Sequence, residues 1–243
     1  MGDRLISVVI PTYNEENYIE DLLKSIKAQT YNKYDIIVAD SSNDSTPSIA
    51  KKYGARVIKV PKTNIATARN AGIKKADGDI IALIDADYIL SKDVFRRVVA
   101  AFDKNKKLVC VEPSPRIGLK DLRFKDRLKF RVVNAFVTLN KTISFFGPLP
   151  AAYGCDFCLS SAIKKAGLFN ENIDVCEDKE FFSRLRLYGR FKLIRKTVRV
   201  SYRRHAKEGV IKTGLIYFMA ALSALLARRF KFRFKAIRRK KKG

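Results

Sequence analysis

Asp85 and Asp87 stand two positions apart, where the apolar run 80–84 gives way to Tyr88 and a helix-starting Ser91. In a buried parallel strand the apolar residues form a near-continuous run, and the carboxyl end of such a strand faces ligands. Side chains alternate in direction along a strand, so carboxylates at i and i+2 face one side. A pair so placed suits a hard divalent cation, with a phosphate ligand and water completing its coordination. The same two residues also suit a plainer role, solubilising a turn and capping the next helix.

A second group with ligating chemistry is Cys155, Cys158, Cys176 and His205. Three Cys and one His are a zinc-ligand set, and Cys155 and Cys158 form a C-x-x-C. The spacing from Cys176 to His205 is unlike a compact finger, and free Cys commonly serve as small buried residues. Four Cys in 243 residues are too few for a disulfide scaffold.

The elements that must position these residues alternate between two periodicities. Residues 5–10, 34–39 and 55–60 are β-rich apolar runs, each closed by Pro or Asp. Between them, a helix opens at Asn14 and carries Ile19, Leu22, Leu23 and Ile26 at helical spacing, and residues 47–53 and 64–76 have helical patterns. Beyond Asp87 the pattern predicts a helix over 92–105 and a strand over 108–112 that Pro113 and Pro115 break. A basic amphipathic helix over 121–139, a loop over 144–150, a helix stop at Gly167, a helix over 177–188 closed by Gly189, and a strand over 191–200 follow. Strands alternating with helices build βαβ units, so the fold class is α/β, Rossmann-like, with right-handed crossovers and a mostly parallel sheet covered by helices on both faces.

Lys and Arg number 50 against 24 Asp and Glu, a formal charge of +26. That excess suits a nucleic acid, an anionic membrane face or a phosphorylated substrate. Residues 214–227 are apolar for 14 positions, short of the roughly 20 that a bilayer span needs. Residues 228–242 hold ten Lys or Arg and no acid, with Phe230, Phe232 and Phe234 between them. An apolar helix followed by a polybasic aromatic segment is what binding to an anionic cytosolic leaflet needs. The expected organisation is a domain over 1–207 and an amphipathic, basic, membrane-associating tail over 208–243. No secretory signal is evident, so the expected location is the cytoplasmic face of the cell membrane, peripheral, with a single marginal span as the alternative. The lone Gln29 amid abundant Lys and Arg is compatible with a thermophilic source.

Several segments in order resemble one family. They are 8–16 (VVIPTYNEE), 38–46 (VADSSNDST), 68–72 (ARNAG), Gly78-Asp79 leading into Asp85-Ala86-Asp87, 167–171 (GLFNE) and 177–184 (EDKEFFSR). The chain resembles a family 2 glycosyltransferase with the GT-A fold over about residues 5 to 190, and the ordered set carries the likeness.

The resemblance implies a sugar transfer from a nucleoside diphosphate donor with inversion at the anomeric carbon. It implies Mg²⁺ or Mn²⁺ as cofactor, offsetting charge on the diphosphate leaving group, with Asp87 as ligand and Asp85 sharing the metal or meeting the ribose. Pro11, Thr12, Tyr13, Glu15 and Asp40 would line the nucleotide pocket. Family members often carry two adjacent acids at the second strand end; here Ala39 replaces the first. Arg69 would bind the nucleotide or its diphosphate. Asp178 matches the general base, with Glu177 supporting the acceptor or orienting its neighbour. Asp156 lies where the family places its acceptor site, and His205 would complete the metal or diphosphate site. The expected partners are a nucleotide-sugar donor, a glycan or lipid-linked acceptor and an anionic membrane surface, without specific nucleic acid. Two other functions compete: a polyprenyl-phosphate glycosyltransferase, whose anionic acceptor needs no strong base, and a nucleic-acid-binding protein using the basic tail.

Overall fold

A computed structural model describes residues 2–62, 64–117, 154–173 and 177–200. The first half alternates regularly: β1 (Ile6–Thr12), α1 (Ile19–Lys27), β2 (Tyr34–Asp40), α2 (Thr46–Lys52), β3 (Arg56–Lys59), α3 (Ile65–Ile73) and β4 (Ile80–Ile84). It continues with β5 (Tyr88–Leu90), α4 (Val94–Lys104), β6 (Leu108–Ile117), β7 (Cys155–Leu159), α5 (Ser160–Ala166), α6 (Glu177–Leu185), a 3₁₀ turn (Arg186–Tyr188) and β8 (Arg190–Val200).

All eight strands join one sheet in the order β3-β2-β1-β4-β7-β6-β8-β5. Four pairings are parallel (β1 with β2 and β4, β2 with β3, β6 with β8), and β7 and β5 pair antiparallel with their neighbours. Every residue of β1 and β4 is buried, as a strand covered on both faces requires. Alternation splits their side chains between two layers. Ile6, Val8, Ile10, Ile80, Ala82 and Ile84 pack with α1, α2 and α4. Val9, Ile81 and Leu83 pack with α3, α5 and α6 on the other face. The chain runs outward from β1 to β3 and then returns to place β4 on the other side of β1. That reversal opens a crevice at the carboxyl ends of β1 and β4, where open α/β sheets bind ligands.

The helix expected to open at Asn14 begins instead at Ile19, which leaves residues 13–18 as a loop at the crevice. Asn14 adopts φ 56°, a left-handed conformation that Asn tolerates. Pro113 and Pro115 do not end β6: it continues to Ile117, and the β6–β8 ladder shifts register between these two prolines, an irregularity where a missing N–H is tolerated. Gly189 is extended at φ 164° rather than left-handed. Its need for Gly is steric, because a Cβ there would strike the Val109 side chain and the Lys107 carbonyl. The C-x-x-C does not form a ligand pair. Cys155 lies in one apolar layer and Cys158 in the other, because positions three apart on a strand face opposite ways. Cys176, His205, the helix expected over 121–139 and the tail over 208–243 lie outside the described residues.

Candidate active site

Asp40, at the end of β2, is 4% exposed, and donors of the chain itself surround its carboxylate. Thr12 Oγ1, from the end of β1, donates to Oδ1 at 2.7 Å, Ser42 Oγ to Oδ1 at 2.6 Å and Ser42 N–H to Oδ2 at 3.2 Å. Ser42 Oγ in turn accepts from Asn14 N–H at 2.8 Å, Asn14 Oδ1 from Asn43 N–H at 3.0 Å, and Thr46 Oγ1 from Glu15 N–H at 2.8 Å. Side chains thus cross-link the loops after β1 and β2, each satisfying the other's backbone. Pro11 is buried within β1, opposite Ala39. Tyr13 is 43% exposed, and the Lys62 ammonium lies 4.3 Å from its ring centroid and bonds its hydroxyl, a cation–π geometry. Glu15 is half-buried beside it.

Arg69 stands at the middle of the crevice. It projects from α3, is 7% exposed, and reaches two acids from distant parts of the chain. Nη1 donates to Glu177 Oε1 at 2.9 Å and Nη2 to Asp85 Oδ1 at 3.2 Å. Burial works against its charge, yet the carboxylates of Asp85, Glu177 and Asp178 outweigh that and hold the guanidinium above its ordinary pKa. Asp85 Oδ2 lies against Gly154, whose φ is +70° and where any Cβ would fall on that oxygen. The Gly154 carbonyl also accepts the Asp85 N–H at 2.8 Å. Asp85 is therefore fixed on two sides, and Asp87, two residues on, is half-exposed.

Glu177 and Asp178 begin α6, whose N-terminus favours negative charge. Burial pushes both carboxyls up, and the neighbouring Asp178 charge adds to the effect at Glu177, while Arg69 opposes it at both. Asp178 Oδ1 accepts the Lys179 N–H at 2.7 Å. Arg69, Leu83, Gly154, Asp156, Phe169, Asp178 and Phe182 line a small cleft. Asp156, from β7, is buried at 2% exposure on its wall.

The residues expected from sequence thus fall into two neighbouring groups. Thr12, Tyr13, Glu15 and Asp40 gather on the cross-linked loops. Arg69, Asp156 and Asp178 line the cleft, Glu177 and Asp85 bind the Arg69 guanidinium, and Asp87 follows two residues after Asp85. The resemblance places Arg69 on the nucleotide or its diphosphate; in the structure its guanidinium pairs with Glu177 and Asp85. Sequence reasoning gives no role to Gly154, Ser42, Lys62 or Asn70, although Ser42 stands in the segment 38–46, Asn70 in 68–72 and Gly154 beside the expected acceptor position. Among the described residues no three His, Cys, Asp or Glu gather to hold a metal. Asp85 and Asp87 offer carboxylate oxygens alone, a donor type that fits a hard ion such as Mg²⁺ or Mn²⁺ completed by other oxygens.

The family model described as Glycosyl transferase family 2 matches residues 7–159. An uncharacterized glycosyltransferase of Rickettsia prowazekii is 28% identical over 202 residues, covering 73% of this chain and 57% of that protein. Among solved structures, the mannosyltransferase PcManGT from Pyrobaculum calidifontis, in complex with GDP-Man and Mn²⁺, superposes with TM-score 0.65 at 19% identity, covering 83% of this chain and 57% of the other. Residues 1–349 of S. aureus TarS in complex with UDP-GlcNAc superpose with TM-score 0.64 at 21% identity, covering 81% and 58%. At these identities the likeness is one of fold, GT-A. The chain spans a little over half the length of the R. prowazekii and P. calidifontis proteins and of the TarS fragment.

Proposed function

The chain belongs to glycosyl transferase family 2, and from that premise we propose that it moves a sugar from a nucleoside-diphosphate-sugar to a hydroxyl of a lipid-linked or polysaccharide acceptor, with inversion, at a cytosolic membrane face. One observation carries the reading. Arg69 bridges Asp85 and Glu177, so one strand-end carboxylate and the acidic start of α6 meet at a single guanidinium. The nucleotide-sugar complexes of TarS and PcManGT, with Mn²⁺ in the latter, support the donor class and the metal.

In this reading the stitched loops after β1 and β2 bind the nucleoside, with Tyr13 and Glu15 at its exposed edge and Thr12 and Asp40 holding the loops in place. Asp87 and Asp85 would hold Mg²⁺ or Mn²⁺, which when bound offsets the charge developing on the diphosphate. Asp178 takes the proton of the acceptor hydroxyl as its oxygen attacks the anomeric carbon and the bond to the diphosphate oxygen breaks. A carboxyl held above the ordinary range is a stronger base for that transfer than an exposed aspartate. Arg69 and Glu177 are positioning residues, and Asp156 faces the acceptor side of the cleft.

A donor screen with UDP-, GDP- and TDP-sugars, with and without Mn²⁺, tests this. Turnover of one donor class that needs the ion and is lost in Asp87→Asn is the expected result. Metal-independent turnover across the whole panel would overturn the role given to Asp87.

A further inference from the structure

Cys110, on β6, and Cys158, on β7, are directly opposite each other across an antiparallel pair. Cα atoms in such positions are about 4.5–5.5 Å apart, inside the range of about 4.4–6.8 Å that a disulfide spans. Their sulfurs are 3.5 Å apart, with the Cys158 thiol donating to Cys110. Both side chains are fully buried in the layer that α5 and α6 cover. Cys155 faces the opposite layer and cannot compete for either partner in the folded sheet. We propose that Cys110 and Cys158 are a cross-strand disulfide site, closing a loop over residues 111–157 and tying β6 to β7 at the centre of the sheet.

The bond forms by thiol–disulfide exchange with a low-molecular-weight disulfide. One cysteine thiolate attacks it and releases one small thiol, leaving a mixed disulfide. The second cysteine attacks that sulfur and releases the other small thiol. Two protein thiols are oxidised, the small disulfide is reduced to two thiols, and both protein protons pass to solvent or to the departing thiolates. Burial pushes both thiols up in the folded protein, so exchange belongs to the chain before β6 and β7 close, or to their transient opening. A cross-link of this loop length stabilises chiefly by restricting the unfolded chain.

The full chain, refolded from denaturant with reduced and oxidised glutathione, then denatured and alkylated with a maleimide, tests the proposal. Two of the four cysteines should resist alkylation until reduced, and peptide mapping should join 110 to 158. Reduction of the oxidised protein should lower Tm by about 5–10 °C, and Cys110→Ala should abolish that redox dependence while Cys155→Ala keeps it. Alkylation of all four thiols after oxidative refolding would overturn the proposal without any variant. A linkage through Cys155 or Cys176, or a Tm indifferent to reduction, would do the same.

Discussion

Two demands meet at Asp178. As a base it must be ionised, yet burial, with a smaller push from the Asp85 charge, disfavours its charge, while Arg69, the Lys179 N–H and the Lys179 ammonium oppose that. Its folded pKa is raised above the unfolded value, which fixes the sign of its linkage to stability. The favourable contribution is fully present below the ordinary carboxylate range and is lost as pH rises through the raised pKa. At neutral pH the ionised side chain therefore weakens the fold. Asn keeps an oxygen for the Lys179 N–H and never carries the charge. Asp178→Asn should lower kcat by about 10²–10⁴-fold, the usual range for a general base. In thermal melts with chelator present, it should leave Tm equal to or above wild type at neutral pH, and the difference should close as pH falls below the carboxylate range. A variant that melts lower at neutral pH, or keeps kcat within about threefold of wild type, would remove Asp178 from this role. Retained turnover would favour an acceptor that is already an anion, as in polyprenyl-phosphate transfer.

The element that brings α6 to Asp85 is the strap of residues 167–173. Asn70, one residue beyond Arg69 on α3, donates to the Phe169 carbonyl at 2.9 Å and to Glu171 Oε1 at 2.7 Å, and accepts the Phe169 N–H at 2.9 Å. Phe169 stacks on Phe181 of α6 with centroids 4.0 Å apart, and the Arg69 guanidinium lies 5.4 Å from its ring. Arg184 donates to the carbonyls of Leu168 and Ala166 from the other side. Asn70→Ala would leave a buried N–H and C=O of Phe169 without their partners, costing about 1–3 kcal/mol of stability. It should also lower kcat, because Phe169 covers Arg69; chemical denaturation with a kinetic assay reads both, and unchanged stability would remove the strap from the account. This contact also marks where the sequence stops being informative. β1, β2 and β4 announce themselves as apolar runs because both faces are buried, and Thr12, Asp40 and Asp85 follow as their carboxyl ends. β5 is three residues after an acidic turn, and β7 (CDFCL) carries a buried acid, so neither has the composition of a strand. The Arg69–Glu177 pair joins residues 108 apart, and no local periodicity encodes such a contact. Motif order brought both residues to the site, while their pairing depends on packing across the strap.

For the molecule as a whole, the question is where its positive charge lies relative to the cleft. The tail over 228–242 supplies ten of the basic residues behind the +26 excess. Val200 pairs with Tyr88, so the chain leaves the described sheet beside Asp87, at the crevice end. In the proposed function, the basic tail would hold the protein at an anionic leaflet, where a lipid-linked acceptor is presented. Among the described residues no helix is long and apolar enough to cross a membrane, and residues 210–227 lie outside them. Each basic side chain near an anionic surface contributes about 1 kcal/mol, and the attraction weakens as salt shortens the Debye length. The full chain should therefore co-sediment with vesicles containing phosphatidylglycerol, bind vesicles of phosphatidylcholine alone far less, and be released as salt rises. Retention at high salt would favour insertion of residues 210–227 over peripheral binding. The same charges and the interleaved Phe230, Phe232 and Phe234 also suit single-stranded nucleic acid, where aromatic rings stack on bases. A gel shift in the same salt series separates the two partners: tight, salt-dependent binding of DNA or RNA without vesicle binding would reverse the assignment.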